Sequence, residues 1–236
     1  MKRLAYVLMD DFVHTAKRNL PFVKKYFDLE KWQVCVFRNW DDVCEMTAPD
    51  VFLDMRDARF NWRQDTPNWY ESDMSYKVAK FVLEDGSGYV AVHAGLTNIP
   101  EDHPIRTQIL HGSSAIPTGG TPLHNNLLAG KVGTPFNAFS EVNFVPCAEH
   151  PVTAGVKPFT VRDEQYGVTF VDGADVTVLG NTVSAEAGSS VGAWACTAGN
   201  GRAVGITLGH LDNALENPML QKLIANAVNW CGKAAE

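Results

Sequence analysis

One stretch decides the fold, GYVAVHAG at residues 88–95. Its apolar run from Tyr89 to Val92 carries the β-branched and aromatic residues of a strand that is buried on both faces. The run ends abruptly at His93, and two small residues then let the chain turn tightly. Ligands of open parallel sheets gather outside the carboxyl ends of the strands, so His93 is a candidate functional residue. The simpler interpretation is a histidine that caps the strand and bonds to a backbone carbonyl.

The size and charge of the chain limit what it can be. A chain of 236 residues that is 45% hydrophobic buries a full core, and without a linker or repeat we expect one domain over residues 1–236. The net charge of −7 comes without a basic stripe, which argues against nucleic-acid binding. The apolar runs are too short to span a membrane, and Leu4 to Met9 is also too short for a secretory signal. We therefore expect no membrane partner, and the sequence leaves self-association into a homo-oligomer open.

The five cysteines are scattered along the chain and odd in number, with no C-x-x-C pair. Three of them lie in apolar runs, where a thiol packs as a small hydrophobic group. This use of cysteine is typical of a reducing compartment, so we predict a cytoplasmic location.

The first 95 residues alternate between strands and helices. Apolar residues repeat at helical spacing after Thr15 and again from Met74 to Val82, where Asp85-Gly86 ends the second helix. This alternation predicts an α/β fold in three layers, with a mostly parallel sheet, right-handed crossovers and helices on both faces. The predicted strands cover Leu4–Met9, Gln33–Phe37, Val51–Met55 and Tyr89–Val92.

The rest of the chain departs from this rhythm. Residues 97–140 mix glycine, proline and serine, which predicts a functional or mobile loop over the edge of the sheet. The glycines there match no phosphate-binding pattern, so no nucleotide cofactor is expected. Val191–Cys196 and Ala203–Leu208 flank Asn200-Gly201, which predicts an antiparallel hairpin near the C-terminus. Asn217-Pro218 then begins the last helix, with asparagine as the cap and proline at the first helical position.

A set of short segments stands in a distinctive order and spacing along most of the chain. They are GYVAVHAG (88–95), HPVTAG (150–155), DEQY (163–166), GNGR (199–202), GITLGH (205–210) and a terminal helix ending in Asn229-Trp230, preceded by the first strand and His14. Together they resemble the ThuA-like (trehalose utilisation) family, which has the flavodoxin-type fold of class I glutamine amidotransferases. The resemblance is weakest from about residue 97 to 140. It implies a role in carbohydrate utilisation and a polyhydroxylated sugar as the small-molecule substrate.

One segment departs from the pattern of that fold in a way that bears on function. True glutamine amidotransferases place a nucleophilic cysteine in a tight G-x-C-x-G elbow at the end of this strand. Here the corresponding run is Ala91-Val92-His93-Ala94-Gly95, with histidine at the position of the thiolate. An imidazole cannot replace a thiolate in forming a stable thioester, so the chain is predicted to lack glutaminase activity.

His93, Glu164 and His210 are the predicted catalytic set. His93 and His210 each end an apolar strand, and the family resemblance brings Glu164 over the same edge of the sheet. Two imidazoles and a carboxylate can act as general acid and base near neutral pH. The alternatives are structural: a carboxylate bonded to backbone amides or an arginine, and a histidine that caps its strand. The predicted substrate-binding residues are His14, His103, Tyr166 and Trp194, and no residue is assigned to a metal.

Three functions stay open for this set of residues. The first is a sugar-modifying enzyme, such as a keto-sugar isomerase or epimerase, with Glu164 or His93 as the base and His210 as the acid. The second is a metal-dependent hydrolase or isomerase, because two histidines and a carboxylate with an open position are a familiar zinc pattern. The cofactor is therefore unassigned, with a divalent ion such as Zn²⁺ as the alternative. The third is a non-catalytic sugar-binding or regulatory protein on the same scaffold.

Overall fold

A computed structural model describes residues 2–38, 47–61, 66–115 and 139–234 of the chain. The described helices are α1 (Ala16–Tyr26), α2 (Asp73–Leu83), α3 (Asp212–Glu216) and α4 (Pro218–Cys231). The described strands are β1 (Arg3–Leu8), β2 (Trp32–Phe37), β3 (Val51–Asp54), β4 (Gly88–Val92), β5 (Gly112–Ala115), β6 (Phe139–Pro146), β7 (Phe159–Glu164), β8 (Gly167–Phe170), β9 (Thr177–Ser184), β10 (Gly188–Ala198) and β11 (Gly201–Ile206). Nine strands form one sheet in the order β2-β1-β3-β4-β11-β10-β9-β6-β7, and β5 pairs with β8 in a small second sheet.

The large sheet is mixed, so the prediction of a mostly parallel sheet is wrong. Strands β2, β1, β3, β4 and β11 pair in parallel, whereas β11, β10, β9, β6 and β7 pair antiparallel. With the β5–β8 pair, antiparallel pairings outnumber parallel ones by five to four among the described residues. The physical reason is the length of the connections. A parallel pair needs a long crossover, whereas β9, β10 and β11 follow one another after turns of three and two residues.

The antiparallel hairpin predicted near the C-terminus is confirmed. Strands β10 and β11 pair from Ala193 opposite Ile206 to Ala198 opposite Gly201. The turn is Gly199-Asn200, one residue earlier than the predicted pair. Gly199 has a φ of +57°, and a Cβ atom there would collide with the backbone at the end of α2, so this position requires glycine.

Helices cover both faces of the sheet, and alternate side chains of β1 pack against them. Val7 lies in an apolar cluster with Leu223 of α4. Tyr6 lies on the opposite face, in a cluster with Val78 of α2. The inner parallel strands β3 and β4 are buried on both sides, which accounts for the uninterrupted apolar run before His93. Within the described ranges, no helix combines the length and the apolar character needed to cross a membrane.

The antiparallel half of the sheet curves back over the parallel half. Five strand spacings separate β4 from β7, which in a flat sheet would be about 24 Å. Yet Glu164 at the end of β7 lies 3.5 Å from His93, which follows β4. The pairing of β9 with β10 shifts register around Gly192, and such a bulge increases the bend and twist of a strand. The curvature is therefore what brings the last residue of β7 to the carboxyl ends of β4 and β11.

The predicted loop over the sheet edge is described in part. Residues Ile105–Ile109 form one turn of π-helix, and β5 follows. Residues 116–138 of the predicted loop lie outside the described residues, so the prediction of a functional or mobile loop stays open there.

Asp54, the last residue of β3, is a fully buried acid whose replacement should change the pH dependence of stability. Tyr89 donates a hydrogen bond to its carboxylate at 2.7 Å, but burial dominates and raises the pKa of Asp54 from 3.8 to about 7. Between these two values the unfolded chain loses this proton while the folded chain keeps it. The free energy of unfolding therefore falls as pH rises, with a slope of up to about 1.4 kcal/mol per pH unit.

We expect Asp54→Asn to flatten that decline, because the amide does not titrate and can still bond to Tyr89 and to the Arg56 N–H. Urea unfolding of both chains at half-unit steps from pH 4 to pH 8 measures the effect. Parallel curves for the two chains over this range would show that Asp54 does not carry the pH dependence.

Candidate functional site

The turn after β4 has the strained geometry of a catalytic elbow. His93 has a φ of +49° and begins a single helical turn that ends at Leu96. Residues other than glycine seldom adopt this left-handed region, and histidine is among those that do so more often. Strain of this kind is held in place by the surrounding structure and concentrates at functional sites. Histidine thus occupies the strand-to-helix turn at which an elbow presents its nucleophile.

A backbone carbonyl fixes the orientation of the His93 ring. The side chain is almost fully buried, and its Nδ1 lies 2.8 Å from the carbonyl oxygen of Thr207. A carbonyl oxygen can only accept, so Nδ1 carries the proton. In the neutral ring Nε2 is then the lone-pair atom, and it faces His210 and Glu164.

A carboxylate fixes the second histidine in the same way. His14 Nδ1 lies 2.9 Å from Asp11, whose side chain also accepts the backbone N–H groups of Val13 and His14. Burial alone would raise the pKa of Asp11, but its hydrogen bonds with His14 and with backbone amides lower it to about 2. The ionised carboxylate accepts the Nδ1 proton of His14. The Nε2 atom of His14 consequently presents its lone pair, 3.4 Å from His210 Nδ1.

The loop after β11 places the third histidine. The carboxylate of Asp163 accepts backbone N–H groups from Gly209 at 2.7 Å, His210 at 3.1 Å and Leu211 at 3.0 Å. This threefold contact ties the loop to the end of β7. It leaves His210 Nδ1 2.8 Å from His93 Nε2, with its ring edge-on to His93.

Glu164 completes the polar cluster from the end of β7. Its Oε2 lies 3.1 Å from His210 Nδ1 and 3.5 Å from His93 Nε2. Burial would raise the pKa of Glu164, but its hydrogen bond with His210 and its interactions with both His210 and His93 outweigh burial and hold the pKa well below the usual range. The carboxylate is therefore ionised at neutral pH.

Tyr166 packs against the face of the His93 ring. Its ring stacks on the imidazole with centroids 4.2 Å apart and an angle of 17° between the planes, and its hydroxyl donates to His93 Nε2 at 2.7 Å. Burial and the charge of Glu164 raise the pKa of Tyr166 well above that of a free tyrosine. The hydroxyl thus stays protonated and acts as a donor next to the cluster.

The three imidazoles fit a divalent metal ion. Their facing nitrogens all lie within 4.8 Å of one another. A tetrahedral Zn²⁺ ion with bonds of about 2.0–2.1 Å keeps its ligand atoms about 3.3 Å apart, which is within this spread. The second ring nitrogens of His14 and His93 bond to a carboxylate and a carbonyl, which is the support that metal-bound histidines need. His210 and Glu164 are the most accessible members, with 15% and 11% of their side chains exposed, so a ligand would approach from their side.

The structure brings together His93, Glu164 and His210 and adds His14 and Tyr166 in direct contact with them. Two other predicted substrate-binding residues lie apart from this cluster. His103 Nδ1 accepts the N–H of Ile105, so its Nε2 carries the proton that bonds to Ser75, and burial lowers its pKa to about 4. Trp194 lies in the core, where its indole N–H donates to the carbonyl of Leu110. Their predicted contact with substrate stays a prediction.

Sequence reasoning missed the residues that hold the histidines in place. They are Asp11, Asp163 and the backbone carbonyl of Thr207. Two had a usable signal, since Asp11 stands three residues before His14 and Asp163 immediately precedes Glu164. It also missed Phe139, whose ring lies edge-on 4.9 Å from His210.

The mixed sheet, the helices on both its faces and the histidine elbow define an α/β protein with a class I glutamine amidotransferase-like fold. PurLQS from Thermotoga maritima is similar over 98% of this chain and 99% of its own length, with a TM-score of 0.55 and 12% sequence identity. At this level of identity the similarity concerns the fold alone.

The chain belongs to the ThuA family, described as trehalose utilisation, whose family model matches residues 6–231. The resemblance drawn from the sequence segments is thereby confirmed. A ThuA-like protein from Parabacteroides merdae is similar over 99% of this chain and 91% of its own, with a TM-score of 0.71 and 14% identity. One from Bacteroides uniformis is similar over 97% and 91%, with a TM-score of 0.63 and 17% identity. Among curated proteins, none matches the chain by sequence.

Proposed function

We propose that the chain is a sugar-modifying enzyme that uses a divalent metal ion held by His14, His93 and His210. One observation carries the proposal: three imidazole nitrogens converge, and the hydrogen bonds of His14 and His93 turn their lone pairs toward the centre. Metal-binding histidines show this arrangement, whereas histidines that only cap strands have no reason to converge. The family description, trehalose utilisation, supports a carbohydrate as the substrate.

The residues around the three histidines suit proton transfer next to a sugar carbonyl. The metal ion would polarise the carbonyl oxygen. Glu164 would take the proton from the neighbouring carbon, and the electron pair of that C–H bond would move onto the carbonyl oxygen as an enediolate. Tyr166 would donate a hydrogen bond to this oxygen. Return of the proton to the former carbonyl carbon gives an isomer, provided that the hydroxyl proton of the neighbouring carbon passes to the enediolate oxygen and leaves the new carbonyl behind. Return to the opposite face of the original carbon gives an epimer.

Glutaminase activity is not part of this proposal. His93 stands at the elbow in place of the nucleophilic cysteine. Of the cysteines that the structure describes, Cys196 and Cys231 are buried, and burial raises the pKa of both thiols. Neither thiol is therefore a reactive thiolate. A cytoplasmic location and self-association stay predictions from the sequence.

A second candidate is the same proton transfer without a metal. It is favoured by the hydrogen-bonded chain that runs from Tyr166 through His93 and His210 to Glu164, because these groups satisfy one another as they stand. In that case His210 would be the acid and Glu164 the base, as the sequence predicted.

Metal analysis and hydrogen exchange test the two candidates together. Elemental analysis of the purified chain is expected to find about one divalent ion per chain, the count that three converging histidines allow. Glucose and the keto derivatives of glucose and trehalose, each of which offers a carbonyl, are then incubated with the chain in D₂O, and NMR follows the replacement of C–H protons next to the carbonyl. Exchange that stops on chelation and returns with Zn²⁺ or Mn²⁺ supports the metal enzyme. Exchange that survives complete removal of metal supports the second candidate, and no exchange with any of these sugars contradicts both.

Asp11→Asn tests the support of His14. The asparagine side chain can keep the backbone turn, but it bonds the imidazole more weakly than a carboxylate does. We expect the affinity for Zn²⁺ to fall by about 10- to 100-fold, measured by competition with a coloured chelator.

Asp28→Asn is the matched control for this variant, because Asp28 also accepts a backbone N–H two residues on but lies outside the cluster. The affinity of this control for Zn²⁺ should equal that of the unmodified chain. Equal affinity in the Asp11 variant would mean that this carboxylate only shapes the turn.

A further inference from the structure

Two phenylalanine rings stand half-exposed on loops that adjoin the histidine cluster. Phe12 is 50% exposed and Phe60 is 49% exposed. Single exposed apolar side chains are common on protein surfaces and need no explanation. These two differ because they belong to neighbouring loops that are bonded to each other.

The two loops are tied at two points. The backbone N–H of Phe12 donates to the carbonyl of Phe60 at 2.7 Å, and the N–H of Asp57 donates to the Asp11 carboxylate at 2.9 Å. The loops follow β1 and β3, which are adjacent strands of the parallel half of the sheet. Both rings are therefore carried at the carboxyl edge of the sheet, the edge that holds the histidines.

The loop that carries Phe12 is also the loop that carries His14. Asp11 accepts the N–H groups of Val13 at 2.8 Å and His14 at 2.6 Å, which closes a tight turn with Phe12 in it. One residue, Val13, separates Phe12 from His14, so their Cα atoms are within about 7 Å of each other. An exposed aromatic ring thus stands beside the cluster rather than in it.

We infer that Phe12 and Phe60 form a platform for the apolar face of a sugar ring adjacent to the ring that reacts at the histidine cluster. The inference rests on the proposed function. A pyranose carries hydroxyls around its rim and C–H groups on its faces, and an aromatic ring receives the C–H face while the hydroxyls stay in water. The cluster itself offers imidazoles, a carboxylate and a phenol, which suit the polar reacting end. The substrate is then a glycoside of at least two rings.

Sugar binding by single-ring and two-ring probes tests the platform. The probes are trehalose and methyl α-glucoside, titrated calorimetrically into the unmodified chain and into the double variant Phe12→Ala, Phe60→Ala. We expect the double variant to bind trehalose at least about 10-fold more weakly and methyl α-glucoside less than about 2-fold more weakly. Phe12→Tyr keeps an aromatic face and should keep most of the affinity for trehalose.

Leu29→Ala is the matched control. Leu29 is 53% exposed, but it precedes β2 and so lies near the amino ends of the parallel strands, whereas the histidines lie near their carboxyl ends. Metal content and melting temperature are measured for every variant and should not change. Equal affinity for trehalose in the double variant overturns the platform and leaves the metal centre intact, as does an equal loss for both probes. A metal-loaded native chain that binds neither probe overturns the platform and the proposed substrate class. Loss of selectivity in a chain that holds no metal supports the platform and contradicts the metal centre.

Discussion

Replacing His93 with asparagine is expected to abolish stoichiometric metal binding and, with it, any exchange of sugar protons. Loss of an outer partner of a metal-binding histidine costs about 10- to 100-fold in affinity, so loss of the histidine itself should cost more than about 100-fold. Elemental analysis after dialysis against Zn²⁺ measures the stoichiometry, and the D₂O experiment measures the reaction.

Asparagine is the informative replacement because of the backbone at this position. With a φ of +49°, alanine would add backbone strain to the loss of the ring, whereas asparagine tolerates the left-handed region. The variant still leaves the Tyr166 hydroxyl and the Thr207 carbonyl without their partner in a buried place, at a cost of about 1–3 kcal/mol each. Some fall in melting temperature is therefore part of the expected result.

His111→Asn is the matched control for this variant. His111 has a φ of +51° and lies outside the histidine cluster, so the same substitution acts on the same backbone conformation. It should keep the metal and the reaction. A folded His93 variant that still holds one equivalent of Zn²⁺ would rule out His93 as a ligand and remove the basis of the proposed function.

The helices and strands that could be predicted from the sequence are those whose structure is determined by residues within the element itself. The buried run of β4, the apolar face of α2 and the Asn-Pro start of α4 each carry their signal within a few residues. The parallel half of the sheet followed from their alternation. The antiparallel half did not, because strands such as β6 and β7 are half-exposed and their pairing depends on contacts across the fold. The short polar strand β5 shows no alternation of apolar and polar residues. It was not predictable from its own sequence, because it depends on its pairing with β8.

The candidate site was predictable where a polar residue ends an apolar strand, and obscure elsewhere. His93 and His210 follow buried strands, so the topology alone places them at one edge. The position of Glu164 depends on the curvature of the sheet at the bulge in β10, which no local pattern encodes. Trp194 lies in the core, where Gly205 on the neighbouring strand makes room for the indole, and its predicted contact with substrate stays a prediction. Aromatic chemistry does not by itself distinguish a binding surface from a core, because packing decides.

Glu164→Gln is expected to separate the base from the metal ligands. The amide is nearly the same size as the carboxylate and can still bond to His210, but it cannot accept a proton at neutral pH. We expect the exchange of sugar protons in D₂O to slow by about 100- to 10,000-fold, the usual contribution of a positioned base. The three histidines remain, so the chain should keep about one equivalent of divalent ion.

The metal measurement on this variant decides what the carboxylate does. Slow exchange with full metal content is the result expected of a base, and loss of the metal together with the reaction would make Glu164 a ligand instead. Exchange at the native rate would contradict both roles. Glu141→Gln on β6 is the control for the chemical change, since Glu141 is exposed and lies outside the cluster. Oε2 lies 3.1 Å from His210 and 3.5 Å from His93, a spacing that suits a base beside a bound sugar and a metal ligand alike, so the metal content distinguishes the two roles.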